Sequence, residues 1–169
     1  MDFPRPNPVY RLLHRFYRWR PISWFISVFV PPIDRFFFKL SGKRITLVQL
    51  LSGLPVIMLH TIGAKSGKAR DSPLIGIPVG DDYHNLLLIA SNWGGPHNPG
   101  WYYNIKAEPK VSVSYRGRRE DYEAVELKAG EQYDRYWQKA VSYYSGYENY
   151  KRRTTRSWIP MVVLHPLEN

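Results

Sequence analysis

A basic turn that contains two glycines is the first stretch of this sequence able to hold a ligand. Residues 63–70 read GAKSGKAR, so three cations lie within one short turn. Backbone N–H groups in a glycine turn can form a concavity that binds an anion, and the basic side chains add charge. The spacing is not that of a P-loop, since the glycines lie too close together and Ala follows Lys68. Taken alone, the pattern also fits an ordinary solvated hairpin turn.

A glycine-rich aromatic loop follows at residues 91–104, which read SNWGGPHNPGWYYN. Gly94 and Gly95 allow a ligand to approach the backbone closely. Trp93 or Trp101 could flank a planar ring, although a tryptophan that packs in the core beneath a long loop fits equally well. The turn and the loop together suit a flat ligand that bears a phosphate.

Three tyrosines, Tyr144, Tyr147 and Tyr150, recur at a spacing of three residues. They share one face if a helix continues through them, and Gly146 is the position where such a helix could break. A phenol with a pKa of about 10 stays protonated near neutral pH, so it can donate a proton or a hydrogen bond. The chain has 13 tyrosines, however, and a chance cluster is an equal alternative.

Other common chemistries lack the residues they need. The chain has no cysteine, which excludes disulfides, thiolate nucleophiles and iron–sulfur clusters and suits a reducing compartment. Its 5 histidines show no metal-ligand spacing, so we expect no metal site. A Gly-x-Ser-x-Gly nucleophile motif is absent, and no pair of carboxylates stands out.

The net charge of +10 is concentrated at the start of the chain, since residues 1–50 contain nine Lys or Arg against two Asp. All 7 Phe lie in the same segment, which therefore suits an anionic membrane surface. Helices that pack on the domain with their arginines in water are the alternative. The uncharged run 21–33 lacks a cleavage site and is shorter than the ~20 residues that span a bilayer. We therefore predict a cytoplasmic protein, peripheral on the inner face of the membrane.

The pattern of polar and apolar residues predicts an N-terminal helical appendage, residues 1–50, and one barrel domain, residues 51–169. Short apolar runs that alternate with turns are typical of a small antiparallel barrel. Pro160 favours an edge or bulged position for the last strand. Helices are predicted at 9–20, 22–30, 34–40, 99–107 and 131–144, and strands at 56–61, 73–79, 83–90, 111–115, 121–127 and 158–164, with hairpins through 80–82 and 116–118.

The order of these motifs resembles the deazaflavin (coenzyme F420)-dependent nitroreductase family. Residues 61–70 read T-x-G-x-K-S-G-x-x-R, residues 90–95 read A-S-x-x-G-G, and residues 98–109 read N-P-x-W-Y-x-N-x-x-A-x-P. The tyrosine spacing and the R-x-x-I-P segment at 156–160 extend the similarity over most of residues 55–166. The resemblance implies a mostly β fold, a split β-barrel of the FMN-binding type with flanking helices.

The same resemblance implies roles for individual residues. Lys65 and Arg70 would hold the phosphate and acidic tail of F420, and the three tyrosines would line the substrate pocket. The implied catalytic residues are Tyr144, Tyr147, Tyr150 and Ser91, and the implied cofactor contacts are Lys65, Ser66, Gly67, Lys68, Arg70, Ser72, Pro73, Ser91, Asn92, Gly94, Gly95 and Trp101. Two positions depart from the family pattern: Asn92 stands where relatives often have Lys, and Trp93 where they usually have Gly.

The implied reaction is hydride transfer from reduced deazaflavin to a quinone or a nitroaromatic acceptor. The same barrel with FMN is one alternative, because the basic turn suits either phosphate. A non-catalytic basic module for anionic lipid or nucleic acid is another. Since the cations cluster in the N-terminal third rather than along the barrel, we do not expect a nucleic-acid partner.

Overall fold

The computed structural model describes residues 54–80 and 84–167. The helices predicted at residues 9–20, 22–30 and 34–40, and the predicted boundary between residues 50 and 51, lie outside these ranges. The described strands and helices belong to a compact unit that begins at Ile57, the second residue of the first strand.

One antiparallel sheet of seven strands dominates the described residues. The strands are β1 (Val56–Ile62), β2 (Ala69–Ile75), β3 (Ile77–Val79), β4 (Asn85–Ile89), β5 (Lys110–Tyr115), β6 (Arg118–Glu126) and β7 (Met161–Pro166). Their order across the sheet is β2-β1-β5-β6-β7-β4-β3, so β2 and β3 follow each other in the chain but lie at opposite ends. The sheet must therefore curl until its ends approach, which gives the half-barrel that the sequence predicted.

Gly76 is the residue at which the chain passes from one end of the sheet to the other. A Cβ atom at this position would lie 3.0 Å from Cγ2 of Ile57, so the backbone approaches β1 more closely than most side chains allow. The single strand predicted at 73–79 is therefore divided in two: β2 ends just before Gly76, and β3 begins just after it.

Three α-helices accompany the sheet in the described part of the chain: α1 (Gly100–Ala107), α2 (Glu131–Tyr143) and α3 (Gly146–Arg153). The first two match the predicted helices at 99–107 and 131–144. Helix α2 buries Tyr133, Trp137 and Ala140, which recur at helical spacing. Helix α3 was not predicted as a separate element; it starts anew because the backbone of Tyr144 is extended, with φ −146° and ψ 102°.

The core is built from alternate strand positions and from one face of α1. Leu59, Val113 and Leu164 have no exposed surface, and Trp101 and Ile105 of α1 pack in the same cluster. Burial of each large apolar side chain contributes about 1.5–3 kcal/mol to folding. Trp101, a predicted cofactor contact, is only 7% exposed, so its indole stabilises the core.

The strand pairings of both predicted hairpins are present, β3 with β4 and β5 with β6, although residues 81–83 of the first turn lie outside the described residues. Of the edge or bulged position predicted for the last strand, the edge is wrong. In the β5–β6 hairpin, Arg116 and Gly117 have φ of 48° and 80°, the pair of positive values that a tight two-residue turn requires. Strand β7 lies between β6 and β4, in the middle of the sheet. Pro160 does not disturb that position because it precedes β7, where its carbonyl oxygen accepts from the Ala90 N–H at 2.9 Å.

Candidate functional site

The basic turn connects β1 to β2 and is closed by its own backbone. The N–H groups of Ser66 and Gly67 donate to the Gly63 carbonyl oxygen at 3.1 and 2.8 Å, and the Gly63 N–H donates to the Lys68 carbonyl oxygen at 2.8 Å. The Lys68 N–H donates to Ser66 Oγ at 3.4 Å. These four amides are therefore not available to the anion-binding concavity that the glycine pattern suggested, and the basic side chains are the main candidates to hold an anion here.

Asn104 fixes the turn against helix α1. Its Oδ1 accepts from the Ala64 N–H at 3.0 Å, and its Nδ2 donates to Thr61 Oγ1 at 3.0 Å. One amide side chain thus ties the end of β1 and the start of the turn to α1. The sequence placed Asn104 within a family motif without assigning it a role, and this geometry supplies one.

The three cations of the turn, Lys65, Lys68 and Arg70, are all exposed. None of them forms an ion pair or a side-chain hydrogen bond within the described part of the chain. Asp71, the nearest carboxylate in the sequence, contacts His60 instead. Three cations without carboxylate partners on one turn fit an anionic group such as a phosphate or a carboxylate tail.

The glycine-rich loop has an unusual backbone. Asn92, Trp93 and Gly94 have φ of 45°, 57° and 77°, three consecutive values in the left-handed region. For a bulky residue such as Trp93 this conformation costs free energy and persists only where the surroundings hold it. The loop is closed internally, because Asn92 Nδ2 donates to the His97 carbonyl oxygen at 2.9 Å and the Gly95 N–H donates to that of Asn92 at 2.9 Å.

Helix α3 holds this loop from one side. Arg153 Nη2 donates to the Trp93 carbonyl oxygen at 2.9 Å, and Thr154 Oγ1 donates to that of Gly95 at 3.1 Å. A Cβ atom on Gly94 would lie 3.0 Å from the Tyr150 carbonyl oxygen, so loop and helix are in backbone contact. The Trp93 ring stands edge-on to Tyr150, with centroids 6.0 Å apart. The structure therefore joins the loop to the tyrosines, which lie about fifty residues away in the sequence.

The three spaced tyrosines form one cluster of rings. The centroid of Tyr144 lies 5.3 Å from that of Tyr147 and 6.0 Å from that of Tyr150, and the last two are 6.0 Å apart. The hydroxyl oxygens of Tyr144 and Tyr150 are 3.1 Å apart and hydrogen-bonded. Gly146 makes this possible, since a Cβ atom there would lie 2.3 Å from the Tyr144 ring. The predicted grouping is thus present, although the helix breaks at Tyr144 and Ser145, and Gly146 is the first residue of α3.

The three tyrosines differ in burial. Desolvation raises the pKa of Tyr147 and of Tyr150 well above the ordinary value for a phenol, and the neighbouring Tyr144 adds to both effects. Both groups therefore remain protonated throughout the physiological range. Tyr144 is partly exposed, whereas the other two are buried. Solvent access therefore distinguishes Tyr144 from the two buried tyrosines.

Arg156 is the organising residue that sequence reasoning missed. Its Nη1 donates to the Ala90 carbonyl oxygen at 2.9 Å and also to Asn98 Oδ1, and its Nη2 donates to the Ser91 carbonyl oxygen at 2.7 Å. Its Nε donates to Thr154 Oγ1 at 3.0 Å. Burial lowers the pKa of the guanidinium. The only sequence signal was its place at the start of the R-x-x-I-P segment.

The remaining predicted residues lie at several depths. Ser91 is buried at the start of the loop, and its carbonyl oxygen is held by Arg156. Ser72 is half-buried and Pro73 exposed, as consecutive residues on β2 that point to opposite faces.

Among the described residues no cluster of His, Asp or Glu could hold a metal ion. No helix within residues 54–80 and 84–167 has the length and apolar character needed to cross a membrane.

The curled antiparallel sheet defines the class of fold, a split β-barrel. A solved structure described as an F420-H2 Dependent Reductase (FDR-A) has a TM-score of 0.57 and 37% sequence identity with this chain. The alignment covers 66% of this chain and 94% of that one. The predicted fold class is therefore confirmed.

The particular family follows from sequence comparison. The model of the F420H(2)-dependent quinone reductase family matches residues 36–166. The F420H(2)-dependent quinone reductase Rv1261c of Mycobacterium tuberculosis (strain H37Rv) is 38% identical over 112 residues, which cover 65% of this chain and 72% of that protein. The putative F420H(2)-dependent quinone reductase Rv3178 of the same strain is 30% identical over 113 residues, 67% of this chain and 91% of that one. The chain belongs to the F420H(2)-dependent quinone reductase family.

Family membership confirms the predicted kind of enzyme, an oxidoreductase with coenzyme F420 as its cofactor. It favours F420 over the FMN alternative and sets aside the non-catalytic binding module. The roles of the individual site residues stay predictions.

Proposed function

We propose that this chain reduces a quinone at the surface formed by the tyrosine cluster and the glycine-rich loop. The observation that carries the proposal is the backbone contact between Gly94 and Tyr150, which fixes the loop and the cluster as one wall. When bound, reduced F420 supplies the hydride. The chain's own residues supply binding, orientation and a hydrogen-bond donor.

Binding is assigned to the cations of the turn. Lys65 and Arg70 hold the phosphate and the acidic tail of the cofactor, and Lys68 adds positive charge beside them. Charge-assisted hydrogen bonds of this kind are worth about 1.5–3 kcal/mol each. Asn104 ties the turn to α1, so the side chains that bind the charged end of the cofactor are held in a fixed position on the barrel.

Proton donation is assigned to Tyr144. As electrons reach the quinone, negative charge develops on its oxygen, and a phenol that donates to this oxygen stabilises the transition state. Tyr150, hydrogen-bonded to the Tyr144 hydroxyl at 3.1 Å, holds that group in place. Nitroaromatic compounds, whose oxygens also gain negative charge on reduction, are expected to react by use of the same donor.

Titration of oxidised F420 against tryptophan fluorescence tests the assigned binding site. We expect Lys65→Ala and Arg70→Ala each to raise the Kd about tenfold or more, the effect of losing about 1.4 kcal/mol. Lys128→Ala, which removes an exposed lysine beyond the end of β6, is the matched control and should bind like the parent. If both turn variants bind as tightly as the parent, the assignment of the phosphate site is wrong.

The acceptor is proposed to come from a membrane. Residues 1–50 carry nine of the Lys and Arg residues and every Phe, a composition that suits an anionic interface and would bring the enzyme to an apolar quinone. Sedimentation with vesicles should show binding to phosphatidylglycerol that weakens as salt is raised, and little binding to phosphatidylcholine. Equal binding to both vesicles would contradict an electrostatic anchor, without bearing on turnover of a soluble quinone such as menadione.

A further inference from the structure

A second constellation of reactive side chains lies on three adjacent strands, β2, β1 and β5. Asp71 Oδ1 lies 2.8 Å from His60 Nδ1, and His60 Nε2 lies 2.8 Å from Ser114 Oγ. A carboxylate thus contacts one ring nitrogen and a hydroxyl the other. None of these residues belongs to the motifs assigned to F420 or to the tyrosine cluster.

When the His60 ring is neutral, the chemistry of the three groups fixes the direction of both hydrogen bonds. An ionised carboxylate only accepts, so Nδ1 of His60 carries the proton that is donated to Asp71. Nε2 is then an acceptor, and the Ser114 hydroxyl donates to it. This is the arrangement in which a histidine can take the proton of a serine while a carboxylate holds its tautomer and stabilises the imidazolium.

The sheet holds this constellation rigidly. Along β1 and β5 the pairs Met58↔Ser114 and His60↔Ser112 place these side chains on one face of the sheet. On the next strand, β6, Arg119 is the register partner of Ser114. The guanidinium of Arg119 is oriented by a hydrogen bond from Nη2 to Ser112 Oγ at 3.1 Å. A cation therefore lies one strand away from the serine hydroxyl.

A groove of about 390 Å³ opens beside these residues. Its charged and titratable lining residues are His60, Asp71, Lys110, Arg119 and Asp121, and its apolar groups come from Ile62, Val111 and Leu167. The volume is at the lower end of the range for small-molecule sites. Ser114 does not itself line the groove, but its hydroxyl lies 2.8 Å from Nε2 of His60, which does. Two cations and two carboxylates beside a few apolar residues suit a small ester with a short acyl chain and polar groups that can form hydrogen bonds.

We propose that Ser114 is a nucleophile and that this groove is a second site, which hydrolyses small esters. Ser114 Oγ bonds to the ester carbonyl carbon as His60 Nε2 takes the hydroxyl proton, and Arg119 stabilises the charge on the carbonyl oxygen. The ester C–O bond then breaks, and the alcohol leaves with the proton from His60. Water repeats the sequence on the acyl-serine and releases the carboxylic acid, so no external oxidant or reductant is needed.

Covalent labelling tests the proposal directly. The full chain is treated with a fluorophosphonate probe, and peptide mass spectrometry locates the adduct. We expect one adduct, on Ser114, that is lost in Ser114→Ala and reduced about 10²-fold or more in rate in His60→Gln. Hydrolysis of p-nitrophenyl acetate should show the same loss. Ser142→Ala, which removes an exposed serine of α2, should label and hydrolyse like the parent.

A purely structural network would give a different result. In that case His60→Gln and Asp71→Asn lower the melting temperature, while the parent forms no adduct on Ser114. Ester hydrolysis that persists in Ser114→Ala would likewise overturn the proposal, because exposed His and Lys side chains hydrolyse p-nitrophenyl acetate weakly. F420 binding, measured on each variant by the same titration, verifies that the barrel is folded.

Discussion

At the scale of single residues, the position of the Tyr144 hydroxyl is what suits this residue to the reaction. Tyr144 is partly exposed, and its hydroxyl is hydrogen-bonded to that of the buried Tyr150. Its ring lies where it does because Gly146 has no side chain to displace it. The hydroxyl is therefore presented by packing, and its loss should affect chemistry more than folding.

Tyr144→Phe should lower kcat for menadione about 10²-fold, the usual contribution of a positioned proton donor, and leave the Kd for F420 unchanged. The free energy of unfolding should fall by only about 1 kcal/mol, since one hydrogen bond at a partly exposed site is lost. Stopped-flow oxidation of reduced F420 measures the first effect and urea unfolding the second. Tyr136→Phe, on α2 and outside the ring cluster, is the control; parent-like turnover by Tyr144→Phe would remove this residue from the reaction.

At the scale of elements, Arg156 is the connection between three segments. It binds the carbonyl oxygens at the end of β4 and the start of the loop, the Asn98 side chain, and Thr154 just beyond α3. A planar guanidinium can serve these directions together, whereas an ammonium group cannot. The strained backbone at Asn92 and Trp93 depends on this clamp and on Arg153.

Arg156→Lys should lower the free energy of unfolding by about 2 kcal/mol, because buried carbonyl oxygens lose their donors. The loop should also open, so chymotrypsin should cleave after Trp93 faster than in the parent. Arg152→Lys, an exposed position on α3, is the matched control for both measurements. Unchanged proteolysis in Arg156→Lys would show that Arg153 and Thr154 suffice to hold the loop.

The sequence predicted those elements whose signals are local. The β5–β6 hairpin follows from Arg116-Gly117, and α2 from its apolar spacing, because each pattern depends on neighbours in the chain. The break at Gly76 and the central place of β7 depend on contacts with distant strands, so no local pattern reveals them. The same holds within the site. The tyrosine spacing was visible, whereas the clamp at Arg156 joins residues more than fifty positions apart.

At the scale of the whole molecule, buried tyrosines should set the alkaline limit of stability. Burial raises the pKa of Tyr133 and of Tyr102 from near 10 to about 12, with Glu126 adding to the effect on Tyr102, and it raises the pKa of Tyr122, Tyr147 and Tyr150 as well. Above pH 10 the unfolded chain loses phenolic protons that the folded chain keeps. The unfolded state then binds fewer protons, so the free energy of unfolding must fall as pH rises. This stabilising contribution is complete below about pH 10 and is lost as pH approaches 12.

Urea unfolding at pH values from 8 to 11 should therefore show a midpoint that is level to about pH 9.5 and then declines. Tyr133→Phe removes one of these groups. Between pH 8 and pH 11 its free energy of unfolding should therefore fall by about 1 kcal/mol less than that of the parent. Burial lowers the pKa of Lys139, so this residue makes the free energy of unfolding rise with pH. Its contribution is the same in the parent and in Tyr133→Phe, and it cancels in the comparison. Parallel profiles for the parent and Tyr133→Phe would show that this phenol, whose hydroxyl donates to the Ile159 carbonyl oxygen at 2.8 Å, ionises as readily in the folded barrel as in water.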